Sequence, residues 1–242
     1  MSGVWLILPT YNEAENIERI VAAALPQLAA TGLEHRILVV DDGSPDGTGQ
    51  IADRLAAENS AAVEVLHRTS KDGIGPAYLA GFRRALAGGA DLVMEMDSDF
   101  SHDPVDIPRL VAAAERADLV LGSRYVPGGG VTDWGLLRRV ISRGGSLYAR
   151  LLLGIPVNDL TGGFKCFRRS VLETLDLAAV AADGYGFQIE MTYRTIKAGF
   201  RVEEVPIVFR DRRAGTSKMS ARIAVEAFWK VPLLRFRVRS GD

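Results

Sequence analysis

The stretch Asp91-Leu-Val-Met-Glu-Met-Asp-Ser-Asp-Phe-Ser-His-Asp-Pro104 decides how this chain is to be read. Residues 92–96 form a short apolar run, interrupted only by Glu95, and read as a buried strand. Asp103 before Pro104 pairs an N-cap with a first helical position, predicting a helix to about residue 117. Asp97 and Asp99, with Ser101, His102 and Asp103 behind them, therefore sit where a strand ends and a helix begins. In open α/β sheets, ligands bind in the crevice outside the carboxyl ends of strands. Two carboxylates so close repel unless something positive lies between them. An oxygen-only donor set suits a hard cation, Mg²⁺ or Mn²⁺, shared with substrate phosphates. An isolated Asp-x-Asp reads more readily as a solvated acidic loop capping a helix, so the rest of the chain has to decide.

Working towards the N-terminus, residues 4–8 make a first strand stopped by Pro9, and residues 36–40 a second. Asn12 and Glu15 are spaced as a capping box for a helix over about residues 13–25. Asp41-Asp-Gly-Ser-Pro-Asp-Gly47 is a dense turn signal, followed by a helix at 48–58, a strand at 63–66 and a helix at 77–87. Beyond the central stretch another strand falls at 118–121. Strands alternating with helices imply an α/β fold with a mainly parallel sheet, covered by helices on both faces. The polar clusters 9–13, 41–47, 67–75 and 97–103 each follow a strand, so they converge on one edge of the sheet. Neither G-x-G-x-x-G nor G-x-x-x-x-G-K-[ST] occurs, which removes the usual dinucleotide and P-loop cradles.

After Gly122 the pattern changes. Residues 134–153 alternate aliphatic side chains with Arg138, Arg139, Arg143 and Arg150, a basic amphipathic pattern broken at Gly144-Gly145. It reads either as a surface helix packed on the core or as a helix facing an anionic membrane surface. Helices are expected near 170–175 and over 188–198, and a late strand at 202–209. Arg210-Asp-Arg-Arg-Ala-Gly-Thr-Ser-Lys218 is a basic, glycine-containing loop suited to binding an anion. Residues 220–238 repeat the basic amphipathic pattern around Trp229, with Pro232 splitting it into two short helices.

With 242 residues the chain can bury a large core, and 29 basic against 30 acidic residues give no electrostatic support for a nucleic-acid partner. The single cysteine, Cys166, excludes an internal disulfide and reads as a buried structural thiol. No apolar run reaches the roughly 18 residues of a membrane-spanning helix. The N-terminus lacks the basic region of a signal peptide.

Five motifs occurring in order resemble those of the dolichol-phosphate mannose synthases, inverting family-2 glycosyltransferases of GT-A fold. They are Pro9-Thr-Tyr-Asn-Glu13, Asp41-Asp-Gly-Ser-Pro-Asp-Gly-Thr48, Asp97-Ser-Asp99 with Ser101-His102, Gly122-Ser-Arg-Tyr125 and Asp211-Arg-Arg-Ala-Gly-Thr-Ser-Lys218. The resemblance implies transfer of mannose from GDP-mannose to a polyprenyl monophosphate with Mg²⁺ or Mn²⁺. By the same resemblance Pro9, Tyr11, Glu13, Val40, Asp42 and Ser98 hold the donor and Asp97 and Asp99 the metal. Ser101 stands where some members place a glutamine ligand. Arg124, Arg212 and Lys218 contact the diphosphate or the acceptor phosphate, with Arg138 a weaker candidate for the latter. Pro76 and Gly162 depart from the usual pattern without touching this chemistry. Residues 1–218 are then the catalytic domain and 219–242 a membrane-interfacial segment on the cytoplasmic face, with a membrane-protein partner left open.

The residues fit that chemistry. A phosphate monoester has a second pKa near 6 and is already a nucleophile at neutral pH, so no general base is required. Hydroxyl acceptors generally need one, and Glu190, the one carboxylate in the helix that follows Gly184-Tyr-Gly-Phe187, is at a position that helical spacing can bury. Two other readings remain open on the residues alone: glucose transfer from UDP-glucose to the same acceptor, and a catalytically silent nucleotide-binding scaffold.

Overall fold

The computed structural model describes residues 3–180, 182, 184–211, 231, 232, 234, 235 and 238. The amino-terminal half is built of β1 (Gly3–Thr10), α1 (Ile17–Ala29), β2 (Glu34–Asp41), α2 (Thr48–Glu58), β3 (Val63–His67), α3 (Ile74–Ala87) and β4 (Leu92–Glu95). After a 3₁₀ turn at Pro104–Asp106 come α4 (Ile107–Ala113), β5 (Leu119–Ser123), β6 (Gly130–Val131) and α5 (Leu136–Leu153). β7 (Lys165–Arg168), α6 (Arg169–Thr174), α7 (Tyr185–Lys197), β8 (Val202–Pro206) and β9 (Val208–Phe209) follow.

Seven strands form one sheet in the order β3-β2-β1-β4-β7-β5-β8, and β6 pairs with β9 beside it. Every pairing is parallel except those of β7, which runs antiparallel between β4 and β5. The near-continuous apolar runs of β1, β2 and β4 follow from burial on both faces. One face packs Ile7, Val40, Phe82, Phe167 and Phe187, and the other packs Leu6, Leu8, Ile20, Met94 and Leu110. The sheet order reverses at β1, between β2 and β4, which opens the binding crevice there.

Several local expectations are corrected. Asn12 is not a helix cap: it sits at φ 56° in the left-handed region and its backbone N–H donates to Ser44 Oγ at 3.0 Å. Helix α1 begins only at Ile17, because Asn12, Glu13 and Ala14 spend their amides on the neighbouring loop. Asp103 does cap, accepting from Val105 N–H, but the first turn is 3₁₀ and α4 ends at Ala113. Gly144-Gly145 does not break α5, which is one helix of 18 residues. The expected late strand is two, β8 and β9. Strand β7, four residues long, has no counterpart in the sequence reading. Arg212, Lys218 and most of 219–242 lie outside the described residues, although Val231, Leu234 and Val238 are buried in the core cluster that holds Ala149 and Leu153 of α5.

Tyr78, Phe82 and Phe187 pack as a triangle of rings with centroids 6.2, 5.9 and 6.4 Å apart, and Phe167 is edge-on to Phe82 at 5.5 Å. We expect Phe82→Ala to lower unfolding free energy by about 3–5 kcal/mol in urea titrations. A loss below about 1 kcal/mol would mean that the cluster collapses to fill the space.

Candidate active site

The loops leaving β1, β2 and β4 are joined by side chains. Ser44 Oγ, Thr48 Oγ1 and Asp46 Oδ2 accept in turn from the backbone N–H groups of Asn12, Glu13 and Ala14, at 3.0, 2.9 and 3.1 Å. Ser98 Oγ donates to the Pro9 carbonyl at 3.2 Å, closing the crevice between β1 and β4. Much of the Asp-Asp-Gly-Ser-Pro-Asp-Gly-Thr motif is thus a brace for the first loop. Phe100, next to Asp99, has φ 63°, a second strained residue at this edge.

These loops bound a cavity of about 360 Å³ lined by Pro9, Thr10, Tyr11, Glu13, Asp42, Lys71, Ile74, Asp97, Ser98, Asp99, Thr161, Gly163, Tyr185 and Gln188, among others. It brings together all but one of the residues expected to hold the donor from the first half of the chain. Val40 is the exception: it is wholly buried, and its carbonyl accepts from Thr10 Oγ1 at 3.3 Å. Asp42 is bound by Arg68 at 2.6 Å. Burial raises the Asp42 pKa, with Arg68 opposing the shift.

A second, smaller pocket shares Asp97, Thr161, Gly163 and Tyr185 with the first and adds Ser101, His102, Arg124, Trp134, Arg138, Phe209 and Asp211. Arg124 lines this pocket rather than the larger one. Its Nε and Nη2 donate to the two oxygens of Asp159 at 2.7 and 2.6 Å, and Nη2 also donates to Thr161 Oγ1 at 2.8 Å. Burial works against the Arg124 charge, but Asp159 outweighs it and holds the guanidinium pKa above its usual value. The rings of Tyr125, Trp134 and Phe209 surround the guanidinium within 5.6 Å. Arg138 stacks on Trp134 at 4.3 Å and donates to both oxygens of Asp211. Gly163 forms the partition, where an added Cβ would lie 3.5 Å from the Gln188 amide and 3.7 Å from Asp97 Oδ1.

The acidic pair fits a divalent cation. Asp97 and Asp99 both face the larger cavity, Asp99 Oδ1 accepts from the Ser101 N–H, and Ser101 Oγ is buried with no hydrogen-bond partner. Among the described residues no three His, Cys, Asp or Glu side chains form a metal-binding group. Any cation here would therefore complete its shell with water or substrate oxygens, as Mg²⁺ does elsewhere.

Several contributors escaped the sequence reading: Asp159, Trp134, Tyr185, Gln188 and the pair Glu95–Lys165. Glu95 and Lys165 face each other across β4 and β7, both wholly buried. Burial pushes Glu95 up to about 7 and Lys165 down to about 8, each opposed by the other's charge. Lys165 Nζ donates to the Gln188 carbonyl at 2.7 Å, anchoring the first turn of α7. A lone Glu in an apolar strand and a Lys between two Phe were the available signals. Glu190 is buried, paired with Arg194 at 2.8 Å and accepting from the Ala182 N–H at 3.1 Å.

This sheet order, with an acidic pair at its switch point, meets the comparisons with known proteins. Residues 5–176 match the family model described as Glycosyl transferase family 2. The chain is a family 2 glycosyltransferase. It is 50% identical over 93% of its length to an undecaprenyl-phosphate mannosyltransferase of Micrococcus luteus, covering 90% of that protein. It is likewise 50% identical over 93% of its length to a polyprenol monophosphomannose synthase of Mycolicibacterium smegmatis, covering 84% of it. Among solved structures, this glycosyltransferase superposes on glucosyl-3-phosphoglycerate synthase from Mycobacterium tuberculosis in complex with Mn²⁺, UDP-glucose and glycerol 3-phosphate. The TM-score is 0.69 and the identity 21%, over 97% of this chain and 80% of that one. The likeness establishes the GT-A fold.

His102 supplies a pH test of the site's packing. Burial drives its imidazole down to about 4, and the Asp97 N–H donates to its Nδ1 at 3.3 Å, so the folded protein holds it neutral. The unfolded chain takes up that proton below about pH 6.5. The stability His102 contributes is therefore complete above that pH and is lost as the pH falls toward 4. In urea melts with EDTA, wild type should lose about 2 kcal/mol more than His102→Gln between about pH 7 and 4.5. Parallel losses would mean that the acid sensitivity arises elsewhere.

Proposed function

We propose that this glycosyltransferase transfers mannose from GDP-mannose to a polyprenyl (dolichyl-type) monophosphate with inversion, using Mg²⁺ or Mn²⁺ and working peripherally on the cytoplasmic face of a membrane. The observation that carries this reading is the pair of pockets meeting at Asp97: an open acidic cavity of about 360 Å³, and beside it an arginine- and aromatic-lined pocket suited to a phosphate. The names of the 50% identical relatives support the acceptor class and the sugar.

Pro9, Tyr11, Glu13, Asp42 and Ser98 would hold the nucleotide, with Lys71, 3.9 Å over the Tyr11 ring, at the same wall. Asp97 and Asp99 would hold the cation, with Ser101 Oγ beside them. When bound, that cation neutralises negative charge developing on the departing diphosphate. Gln188, whose buried Oε1 has no hydrogen-bond partner, faces the cavity where a sugar hydroxyl could donate to it. Arg212 and Lys218 remain candidates for phosphate contacts on sequence grounds.

The acceptor phosphate would enter beside Arg138 and Arg124. Binding there requires Arg138 to share or exchange its contact with Asp211, the first residue of the basic motif. One phosphate oxygen attacks the anomeric carbon as the bond to the diphosphate breaks. The oxygen arrives already ionised, so no side chain takes a proton from it. Glu190, locked in its pair with Arg194, is not placed to act as a base, in agreement with a phosphate rather than a hydroxyl nucleophile.

Labelled GDP-mannose, with UDP-glucose in parallel, should label a polyprenyl phosphate in detergent only from GDP-mannose and only without EDTA. Asp97→Ala/Asp99→Ala should lower turnover at least about a hundredfold. Labelling from UDP-glucose alone would replace the sugar, and labelling from neither would overturn the reading. Arg138→Ala should raise the acceptor KM about tenfold and leave the GDP-mannose KM within about twofold. An equal rise in both would place Arg138 with the donor instead.

A further inference from the structure

Among the described residues seven large apolar side chains are exposed, and five of them lie on α5: Leu136, Val140, Ile141, Leu147 and Leu151. Leu136 and Leu151 are 79% and 72% exposed. No other element of the described structure concentrates apolar surface in this way.

At about 100° per residue, Leu136, Val140, Leu147 and Leu151 fall within about 60° of one another and form a single row along the helix. Arg139, Arg143 and Arg150 fall within about 40° of one another and form a parallel row immediately beside it. All three arginines are exposed, and α5 contains no Asp or Glu. Ala149 lies almost opposite the apolar row, and Leu153 and Ser146, about 40° and 60° farther round, are buried with it. The inward-turned residues of the C-terminal segment, Val231, Leu234 and Val238, share the cluster with Ala149 and Leu153. The helix is therefore fixed to the protein by one face and presents the other outward.

We propose that this outward face of α5 docks the enzyme on an anionic bilayer. The apolar row would enter the acyl boundary, with the arginine row at the headgroup phosphates. The proposal rests on the lipid-phosphate reading above and identifies the membrane-facing surface. A helix divided lengthwise into an aliphatic and a cationic row matches the layered polarity of a lipid interface. It matches a protein partner less well, because energetically dominant protein contacts favour Trp, Tyr and Arg clusters and under-represent Leu and Val. The same helix adjoins the smaller pocket: Arg138 lines it, and Ser142 accepts a hydrogen bond from Tyr125 Oη at 2.7 Å. Docking by α5 would thus hold the proposed phosphate pocket close to the bilayer from which the acceptor's headgroup comes.

The test uses the full chain and the variant Val140→Ser/Leu147→Ser/Leu151→Ser, with Arg139→Gln/Arg143→Gln as a second variant. Flotation with phosphatidylcholine vesicles, with and without phosphatidylglycerol, is measured without nucleotide or acceptor. Wild type should float with the anionic vesicles, and each variant should bind them at least about tenfold more weakly. Turnover on a short, water-soluble isoprenyl phosphate should stay within about twofold for both. Undiminished vesicle binding by the serine variant would overturn the proposal. So would a wild type that does not float but forms a dimer which the serine variant dissociates, since the face would then pair two copies. Because flotation needs no catalysis, a wild type that floats through α5 yet transfers no sugar would refute the functional reading and leave this inference standing.

Discussion

Four carboxylates, those of Asp41 and Asp42 at the end of β2 and of Asp97 and Asp99 beyond β4, flank β1 on one edge of the sheet, and their repulsion is the constraint on which this architecture depends. The protein answers part of it internally. Arg68 holds Asp42 at 2.6 Å, and Ser44 donates to Asp41 at 2.5 Å. A divalent cation and its diphosphate would answer the rest at Asp97 and Asp99. The switch point between β1 and β4 makes that geometry available, and Ser98 clamps it by its bond to the Pro9 carbonyl. The braces from Ser44, Asp46 and Thr48 to residues 12–14 hold the opposing wall in place.

A second electrostatic theme runs through the smaller pocket, where each arginine is matched to a carboxylate. Arg124 is committed to Asp159 within a ring of aromatic faces, and breaking one partner of so buried a pair costs several kcal/mol. We read it as the fixed member, which orders the pocket's wall and supplies a constant field. Arg138, on the helix surface and paired with the half-exposed Asp211, is the exchangeable member. Binding a phosphate dianion at such a pocket would trade one carboxylate contact for another of greater charge. It would also tie the occupancy of the pocket to the position of the basic motif that Asp211 begins.

Much of this was legible in the sequence because the parallel strands carry long apolar runs and the polar clusters recur after them. What was not legible has physical causes. Strand β7 is too short for periodicity, and its Lys165 breaks the apolar run that would have marked it. Only the cross-strand partner Glu95 explains both residues, and that pairing spans 70 positions of sequence. Asn12 and Glu15 have capping-box spacing, but tertiary hydrogen bonds from the second loop outcompete a local cap and delay α1 to Ile17. Gly144-Gly145 looks like a break, yet α5 continues through it, held by its packed inner face. For the site, residue types after β1, β2 and β4 identified the cavity wall. Asp159 and Trp134 could not be assigned because their roles exist only through contact with distant arginines, Arg124 for both and Arg138 as well for Trp134.

The central claim is that Asp97 and Asp99 form a cation site that becomes complete only with a nucleoside diphosphate. Calorimetric titration of GDP, with Mn²⁺ and with EDTA, into wild type and Asp99→Asn tests it most directly. The account predicts that GDP affinity falls at least about a hundredfold when either the metal or the Asp99 charge is removed, and that removing both adds little further loss. GDP binding that is indifferent to Mn²⁺ in the wild type would contradict it.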